Sequence, residues 1–442
     1  MRIKRKIISY VAVIVSAAVI ATATILTLLA KSKATIALQD QLQSRLVGIR
    51  DAKREQLGGY FEMMRQQIIT LGASKMTIDA THAFQRGFSQ YETQFKQASI
   101  PTINSGLEQF YHYQFSENYQ QLNSDKLPDI SQFLATLSSA ARAIQYTYIA
   151  NSPHPLGSKS EMLDPLDGSV YAAVHKQYHG SYKQLLEAFG YYDIFIVDAQ
   201  SGNVVYSVFK EIDFATSLAS GALRNSGLGE AYKAAMALPK AQTAFIDFAP
   251  YMPSYEAPAA FLATPIFEND NRIGVLIFQA PVDKINAIMN YDKLWQQRGL
   301  GQTGETYLVG EDKLMRSQSR LFVQNKEAFL ALMRQQNVSD NVIAQIDAKN
   351  TTLGLAAINT EAVVRALQGD SGVIQAHNYF ATPVISAYAP MDVFGLNWAI
   401  VSELSTAEGF SAKLKLLEAM TIAAVILSVI PKVSPKLVFI YQ

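Results

Sequence analysis

One segment of the sequence combines the residue types that line small-molecule sites. It runs from Asp247 to Pro258 and mixes acidic side chains, tyrosines and prolines directly before an apolar, strand-like stretch. Aromatic walls with a few oriented polar groups suit a lid over a ligand, although a proline-braced loop whose tyrosines belong to the core fits the same letters. Gln279 ends an otherwise apolar run and would need a buried partner or a ligand. The residues that we predict to bind a ligand are Tyr206, Asp247, Tyr251, Tyr255, Phe261 and Gln279.

Other chemical motifs are weak. The run from Gly299 to Gly304 matches G-x-G-x-x-G, but a dinucleotide fingerprint needs a strand before it and a helix after it. Here a strand follows, so we interpret the glycines as a turn. His175 and His179 lie four positions apart on a predicted helix and could hold a metal, yet no acidic third ligand is obviously placed, which favours a packed or solvated helix face. No zinc-protease, Walker or nucleophile-elbow motif occurs, so we predict no catalytic residues, no metal and no cofactor.

Composition excludes several classes of protein. The 442 residues carry 38 Lys+Arg against 37 Asp+Glu, a net charge of +1, so there is no basic surplus for a nucleic acid. A hydrophobic fraction of 49% excludes wholesale disorder. The absence of cysteine excludes a disulfide framework and a thiolate nucleophile. The length allows two or three domains.

The N-terminus has the pattern of a membrane anchor. The run from Ile7 to Ala30 carries no formal charge and would span about 36 Å as a helix, enough for a hydrocarbon core of roughly 30 Å. A dense basic cluster between Arg2 and Lys6 precedes it, which predicts a cytoplasmic N-terminus and an external remainder. A cleaved signal peptide is the alternative, but its apolar core is usually much shorter.

The anchor is predicted to continue as an amphipathic stalk helix. Apolar residues keep the i+3/i+4 spacing of a helix, and Lys53 interrupts them. These residues are Leu42, Leu46, Ile49, Leu57, Phe61, Met64, Ile68 and Leu71. The stripe either packs on a downstream domain or pairs with a second copy; because no sustained heptad is present, we favour domain packing, with a homodimer through the same helix as an addition. Residues 101–150 predict two further helices, residues 151–158 a loop, and residues 171–189 another helix.

Beyond residue 190 the spacing of apolar residues changes to the alternation of strands separated by turns. The same order of strands occurs twice. Five strands are predicted first, at 193–198, 204–209, 243–248, 260–267 and 273–279. A second set follows at 306–310, 314–317, 384–391 and 397–403. Tyr307 then corresponds to Phe195, and Ile400 to Ile277, which predicts two copies of one α+β module with antiparallel sheets.

The order of these parts resembles a known family. A basic tip, a transmembrane helix, a stalk and two PAS-like modules are similar to the double Cache sensor of bacterial receptors. The phrase from Gly301 to Arg320, which contains Gly304-Glu-Thr-Tyr, resembles the opening of that family's membrane-proximal module. The phrase from Asp193 to Ser207 resembles the opening of its distal module. In PAS-like modules the concave sheet face and its covering loops enclose a small molecule.

This resemblance implies signal transduction of the chemotaxis type. A sensor in the periplasm, anchored in the bacterial inner membrane, would bind a small molecule and feed a cytoplasmic output, as in methyl-accepting chemotaxis proteins. The Arg-x-x-Trp-Tyr grouping of the family's amino-acid binders is not found in the predicted lid, so amino-acid sensing is not carried over. The alternative is a membrane-tethered periplasmic adaptor that binds another protein.

The predicted boundaries divide the chain into five parts. They are the basic tip and transmembrane helix at 1–30, the stalk and helical segment at 31–190, the distal module at 191–290, the proximal module at 291–412 and an incomplete second transmembrane segment at 413–442. Only a short uncharged run, Ala419 to Ile430, precedes Pro431 and Lys432, which is too short for a span. We therefore hypothesise a receptor truncated before its output.

Overall fold

The computed structural model describes residues 2–411 together with residues 418, 419 and 422. Within them the chain is an α+β protein with one long N-terminal helix and two antiparallel sheets, which confirms the fold class that the sequence predicts. The predicted second transmembrane segment, residues 413–442, lies outside the described residues apart from those three positions.

Helix α1 (Arg2–Gly72) runs without interruption from the apolar N-terminal segment to the first loop of the folded region. In the described part of the chain it is the one helix long and apolar enough to cross a membrane; its most apolar 18-residue window has a mean hydropathy of 2.4 and none of that window is buried. Farther along, the predicted stripe packs on both sheets of its own chain. The buried members are Leu42, Leu46, Ile49, Leu57, Phe61, Met64 and Ile68.

Lys53 is buried in the middle of this stripe although it is charged. Its Nζ donates a hydrogen bond to the carbonyl oxygen of Ile288 and lies 3.0 Å from the centroid of the Tyr291 ring. Burial lowers the pKa of Lys53 to about 8, and the positive charge of Arg298 acts in the same direction. The interruption of the stripe is therefore a polar contact between α1 and the segment that joins the two modules.

A helical segment follows α1. Its helices are α2 (Lys75–Gln94), α3 (Ile100–Gln109), α4 (Ser116–Leu122), α5 (Ile130–Ala135), α6 (Ser139–Gln145) and α7 (Val170–Phe189). The two helices predicted between residues 101 and 150 are three helical stretches, because the π-helical residues Phe110–Phe115 join α3 to α4, whereas a turn with left-handed residues Ser124 and Asp125 and a further turn before α6 break the pattern. The side chains of Ser74 and Ser169 cap α2 and α7, and left-handed Gly190 (φ 75°) ends α7.

The distal module has five antiparallel strands in the order β2-β1-β5-β4-β3. They are β1 (Ile194–Asp198), β2 (Val204–Ser207), β3 (Ala244–Tyr251), β4 (Ala257–Glu268) and β5 (Asn271–Gln279), with α8 (Gly227–Ala237) between β2 and β3 and α9 (Val282–Asn290) after β5. All five predicted strands are present. Buried apolar residues occupy most positions of β1, β4 and β5, since both faces of this sheet are covered.

The proximal module has four antiparallel strands in the order β6-β9-β8-β7. They are β6 (Glu305–Val309), β7 (Gly372–His377), β8 (Pro383–Val393) and β9 (Leu396–Ser405); its helices are α10 (Arg320–Gln324), α11 (Lys326–Gln335), α12 (Asp340–Lys349), α13 (Glu361–Leu367) and α14 (Thr406–Gly409). The predicted strand at 314–317 is wrong: Leu314 and Met315 make only isolated bridges. Strand β7 was missed because it is half-exposed and carries little apolar alternation.

Strand pairing shows that the two sheets repeat one plan. Phe195 pairs with Ile277 in the distal sheet, and Tyr307 pairs with Val401 in the proximal sheet, one residue beyond the predicted Ile400. Along α1 the order is proximal then distal: Leu42 lies in a cluster with Ile385 of β8, whereas Gly72 lies against Thr264 of β4. The proximal module is therefore the one nearer the apolar end of α1.

Candidate functional site in the distal module

A buried polar site lies on one face of the distal sheet. Phe261 and Gln279 are directly opposite each other on β4 and β5, so their side chains share a face. The ring of Tyr251, at the end of β3, lies 5.0 Å from the ring of Phe261. The Tyr251 hydroxyl donates to Asp213 Oδ2 at 2.6 Å. Three strands and the loop after β2 thus bring these four side chains together.

Three acidic residues surround this site. Asp193 is satisfied, because it accepts from the Ser207 hydroxyl at 2.6 Å and from the backbone N–H groups of residues 194, 208 and 209. Asp213 is not satisfied, because only its Oδ2 atom accepts a hydrogen bond. Glu211 accepts from the Tyr192 hydroxyl at 2.9 Å and from the Ser254 hydroxyl at 3.2 Å. The site is therefore richer in acceptors than in donors.

Two oxygen atoms of the site are shielded from solvent and have no hydrogen-bond partner. They are Asp213 Oδ1 and Gln279 Oε1. Asp213 is fully buried and Gln279 is 4% exposed. Buried acceptors without partners are uncommon in folded proteins and cost about 1–3 kcal/mol each. Both would be satisfied by a ligand that donates hydrogen bonds.

Burial and mutual repulsion control the charges of the acidic residues. Burial raises the pKa of Asp213 to about 7, and the negative charge of Asp193 adds to the shift. Burial likewise raises the pKa of Glu211 well above its usual range, with repulsion from Asp213 as the second cause. Lys210 is the adjacent cation; burial lowers its pKa to about 7, and its Nζ donates to the Val208 carbonyl at 3.0 Å. Near neutral pH Asp213 is therefore only partly ionised, and a cation beside it would favour its carboxylate form.

The segment predicted as a lid forms a turn beside the site. The turn Met252–Ser254 is flanked by Pro250 and ends at Tyr255, which has a left-handed backbone (φ 55°). The Tyr255 ring stacks on Phe115 with centroids 5.1 Å apart. A cavity of about 260 Å³ lies beside this contact and is lined by Phe115, Asn118, Tyr192, Glu211 and Tyr255, among others.

Four of the six predicted residues gather here: Tyr251, Tyr255, Phe261 and Gln279. Asp247 lies at the contact between the two modules. Its carboxylate accepts two hydrogen bonds of 2.9 Å from Arg316 and one of 3.2 Å from Trp398 Nε1. Tyr206 lies on the other face of the sheet, where it packs 4.7 Å from the Phe84 ring and donates to His179.

The acidic residues of the site were not predicted from the sequence. Glu211 and Asp213 follow β2 and alternate with the buried Ile212 and Phe214. This alternation of acidic and apolar residues directly after a strand could have indicated a buried acidic site, since exposed loops rarely alternate acidic and apolar residues. The aromatic and proline content of the predicted lid instead indicated a site at the end of β3.

The proximal sheet carries a polar pair at the equivalent register. Glu305 lies opposite Glu403, as Asp193 lies opposite Gln279, whose N–H bonds to the Asp193 carbonyl. The Tyr379 hydroxyl donates to Glu305 at 2.5 Å, and the Tyr307 hydroxyl donates to Glu403 at 3.1 Å. Burial raises the pKa of Glu403 to about 8, and repulsion from Glu305 adds to it.

The glycine motif forms a turn, as predicted. Backbone N–H groups of Gln302 and Thr303 donate to the Glu408 carboxylate at 2.7 Å each, so the turn binds a side chain of its own chain. Among the described residues there is also no group of three or more His, Cys, Asp or Glu that could hold a metal ion.

Similar architectures occur among solved structures. The chain is similar to the periplasmic sensory domain of the Campylobacter jejuni chemoreceptor Tlp1, with 12% identity, a TM-score of 0.36, and coverage of 84% of this chain and 98% of that one. It is also similar to the ligand-binding domain of the Pseudomonas aeruginosa amino acid chemoreceptor PctB in complex with L-Arg, with 13% identity, a TM-score of 0.33, and coverage of 69% of this chain and 98% of that one. A third similar structure is the ligand-binding domain of the Pseudomonas fluorescens chemoreceptor CtaA in complex with L-leucine, with 12% identity, a TM-score of 0.30, and coverage of 70% of this chain and 99% of that one. No protein-family model and no curated protein matches the chain.

Proposed function

We propose that this protein senses a small molecule outside the cytoplasm, and that the ligand is a small organic cation bound in the distal module. The observation that supports the ligand class is the pair of shielded, unpaired oxygens on Asp213 and Gln279. A protonated amine is donor-only, so it matches a site whose free capacity is acceptor-only. Its charge would also offset the repulsion among Asp193, Glu211 and Asp213.

The surrounding side chains suit the apolar part of such a ligand. Phe261 and Tyr251 form an aromatic corner beside Asp213, and Tyr255 with Phe115 forms the stacked pair at the mouth. Aromatic faces attract cations as well as apolar groups. The cavity of about 260 Å³ beside Glu211 and Tyr255 is slightly smaller than most small-molecule sites, so a small amine fits this proposal better than a peptide.

A ligand at this site has a direct physical connection to the rest of the chain. Strand β3 carries Tyr251 at the site and Asp247 at the module joint, four residues apart. Asp247 is held by Arg316 and Trp398 of the proximal module, and the Trp398 ring lies 6.0 Å from Phe61 of α1. A shift of β3 on ligand binding would therefore be transmitted to α1, which leads to the membrane.

The topology of the proposal places the sensor region in the periplasm. The apolar, unburied first part of α1 would cross the inner membrane, and the basic residues before it would stay in the cytoplasm. Protease added to spheroplasts should digest the region after Lys31. Full protection of that region while the inner membrane is intact would contradict the placement.

Thermal shift of the full chain in detergent tests the ligand class. A binder that prefers the folded state raises stability by RT ln(1+[L]/Kd). Small primary amines should raise the melting temperature, whereas matched alcohols and carboxylates of the same size should not. A shift produced only by anionic or neutral compounds would overturn the proposed ligand class, and a shift produced by no small molecule would favour the protein-binding adaptor.

A further inference from the structure

A cavity of about 860 Å³ lies at the end of the distal sheet where β1 ends and β5 begins. Its walls are formed by α2, the start of α6 and the turn between β1 and β2, with Arg272 of β5 beside them. Arg272 and Gln279 are seven residues apart on β5, which is about 23 Å of strand. Because Gln279 belongs to the amine site, the two sites lie at opposite ends of the same strand and are independent of each other.

The charged residues of the cavity wall are two arginines and one acid: Arg86, Arg272 and Asp198. The acid is already bonded within the chain. Asp198 Oδ1 accepts from Gln85 Nε2 at 2.6 Å, and Asp198 Oδ2 accepts from the backbone N–H of Ser201 at 2.8 Å. The cavity wall therefore has an excess of one positive charge, and its acid has both oxygens occupied by neutral donors.

Arg272 is held in place but is not satisfied. Its Nη2 donates to the Leu238 carbonyl at 2.8 Å, and its guanidinium carbon lies 5.0 Å from the centroid of the Phe267 ring. Its Nε is shielded from solvent and has no hydrogen-bond partner. A shielded donor without an acceptor is uncommon in folded proteins. The chain thus fixes the orientation of this guanidinium at the cavity and leaves it short of acceptors.

Arg86 supplies a second cation, and other residues supply an apolar wall. The side chain of Arg86 is exposed, and within the described part of the chain neither Arg86 nor Arg272 takes part in an ion pair. Phe88 and Val205 belong to the buried core, so the wall that they form is fixed by packing. The apolar residues that line the cavity include Phe88, Ala140, Val205 and Met236.

We propose that this cavity is a second binding site, for a small organic carboxylate with an apolar body. The carboxylate accepts charge-assisted hydrogen bonds from Arg272 and Arg86, since guanidinium groups match the planar geometry of a carboxylate. The body of the ligand packs on the apolar wall, and a volume of about 860 Å³ is in the range of small-molecule sites. The bound anion supplies the counter-charge that Arg272 lacks within the chain.

Calorimetry on the full chain in detergent tests the ligand class, with benzoate and hexanoate as probes. Benzamide and hexanamide are the matched controls, because they keep the shape of the probes but carry no charge. At least one probe should bind, at least tenfold more tightly than its amide, and its affinity should fall as the salt concentration rises, because Arg86 is exposed. Failure of both probes to bind, or equal binding of the amides, would overturn the proposal. Tighter binding of phenyl phosphate than of benzoate would overturn the choice of a carboxylate.

Substitution of the two arginines tests the location of the site. Arg272→Gln should weaken binding of the probe at least tenfold, and Arg86→Gln should weaken it about three- to tenfold without changing the stability of the unliganded protein. Lys96→Gln is the control, since Lys96 is an exposed cation outside the cavity wall, and should bind the probe as the wild type does. Wild-type affinity in Arg86→Gln would overturn the proposal, and this variant decides alone if Arg272→Gln does not fold.

Discussion

The two modules place polar residues at the same register but satisfy them differently. In the proximal module Glu305 and Glu403 face each other, and tyrosine hydroxyls from the same module donate to both. In the distal module Asp193 is satisfied, but the opposing Gln279 and the nearby Asp213 keep unpaired oxygens. The hydrogen bonds of the proximal pair are therefore made within its own module, whereas the distal site keeps two unpaired acceptors. Equal position in a repeated fold does not imply equal function.

Breaking the joint between the modules should have the largest effect. Arg316 has a side chain only 3% exposed, and Asp247→Ala would leave this buried charge without its main partner. We expect a loss of about 1–3 kcal/mol in the free energy of unfolding, because the buried Arg316 would keep only its ion pair with Asp312 and Trp398 Nε1 would lose its acceptor. Urea unfolding measures it. Asp270→Ala, at an exposed pair with Lys240, is the control and should change stability little; similar losses in both variants would refute the role of the joint.

The pH dependence of stability should identify the proximal pair. The folded-state pKa of Glu403 is about 8, above its usual 4.5, so folding binds this proton more tightly than the unfolded chain does. The resulting stability is full below about pH 4.5 and is lost as the pH rises to about 8, at no more than about 1.4 kcal/mol per pH unit. Glu403→Gln should flatten this decline in thermal melts. The exposed Glu361→Gln is the control, and an unchanged pH profile in Glu403→Gln would contradict the assignment.

The sequence predicted the parts of the fold that depend on local pattern. The stripe from Leu42 to Ile68, the five distal strands and strands β6, β8 and β9 follow from apolar spacing, whereas the half-exposed β7 does not. The site was predicted only in part, because the partners of Asp213 and Asp247 come from distant positions. Asp213 meets Tyr251, and Asp247 meets Arg316, through tertiary packing that no local pattern encodes. Lys53 was visible as an interruption, but its partner Ile288 was not.

Ligand binding in the distal module should depend on pH in the opposite sense to stability. Asp213 has a pKa of about 7 without ligand, and an amine prefers the carboxylate form. The affinity for an amine should therefore fall roughly tenfold per pH unit below about pH 7, because the proton and the ligand compete. Calorimetry between pH 5 and 8 measures this. An affinity independent of pH would place the ligand away from Asp213.

The lid should contribute least. Phe115→Ala removes the stacking of Tyr255, and aromatic pairs are worth about 0.5–1.5 kcal/mol. We expect a two- to tenfold weaker affinity, expressed mainly as faster ligand release. Tyr113→Ala, on the same helical turn but 64% exposed, is the control. Stopped-flow release rates that are equal in the two variants would argue against a lid.

Calorimetry on Asp213→Asn tests the distal site most directly. The variant keeps the shape of the side chain but removes the charge, so it should bind the amine at least a hundredfold more weakly than the wild type while remaining folded. Asp270→Asn, whose side chain is fully exposed in the same module, should bind as the wild type does. Wild-type affinity in a folded Asp213→Asn variant would contradict the assignment of the ligand site to the distal module.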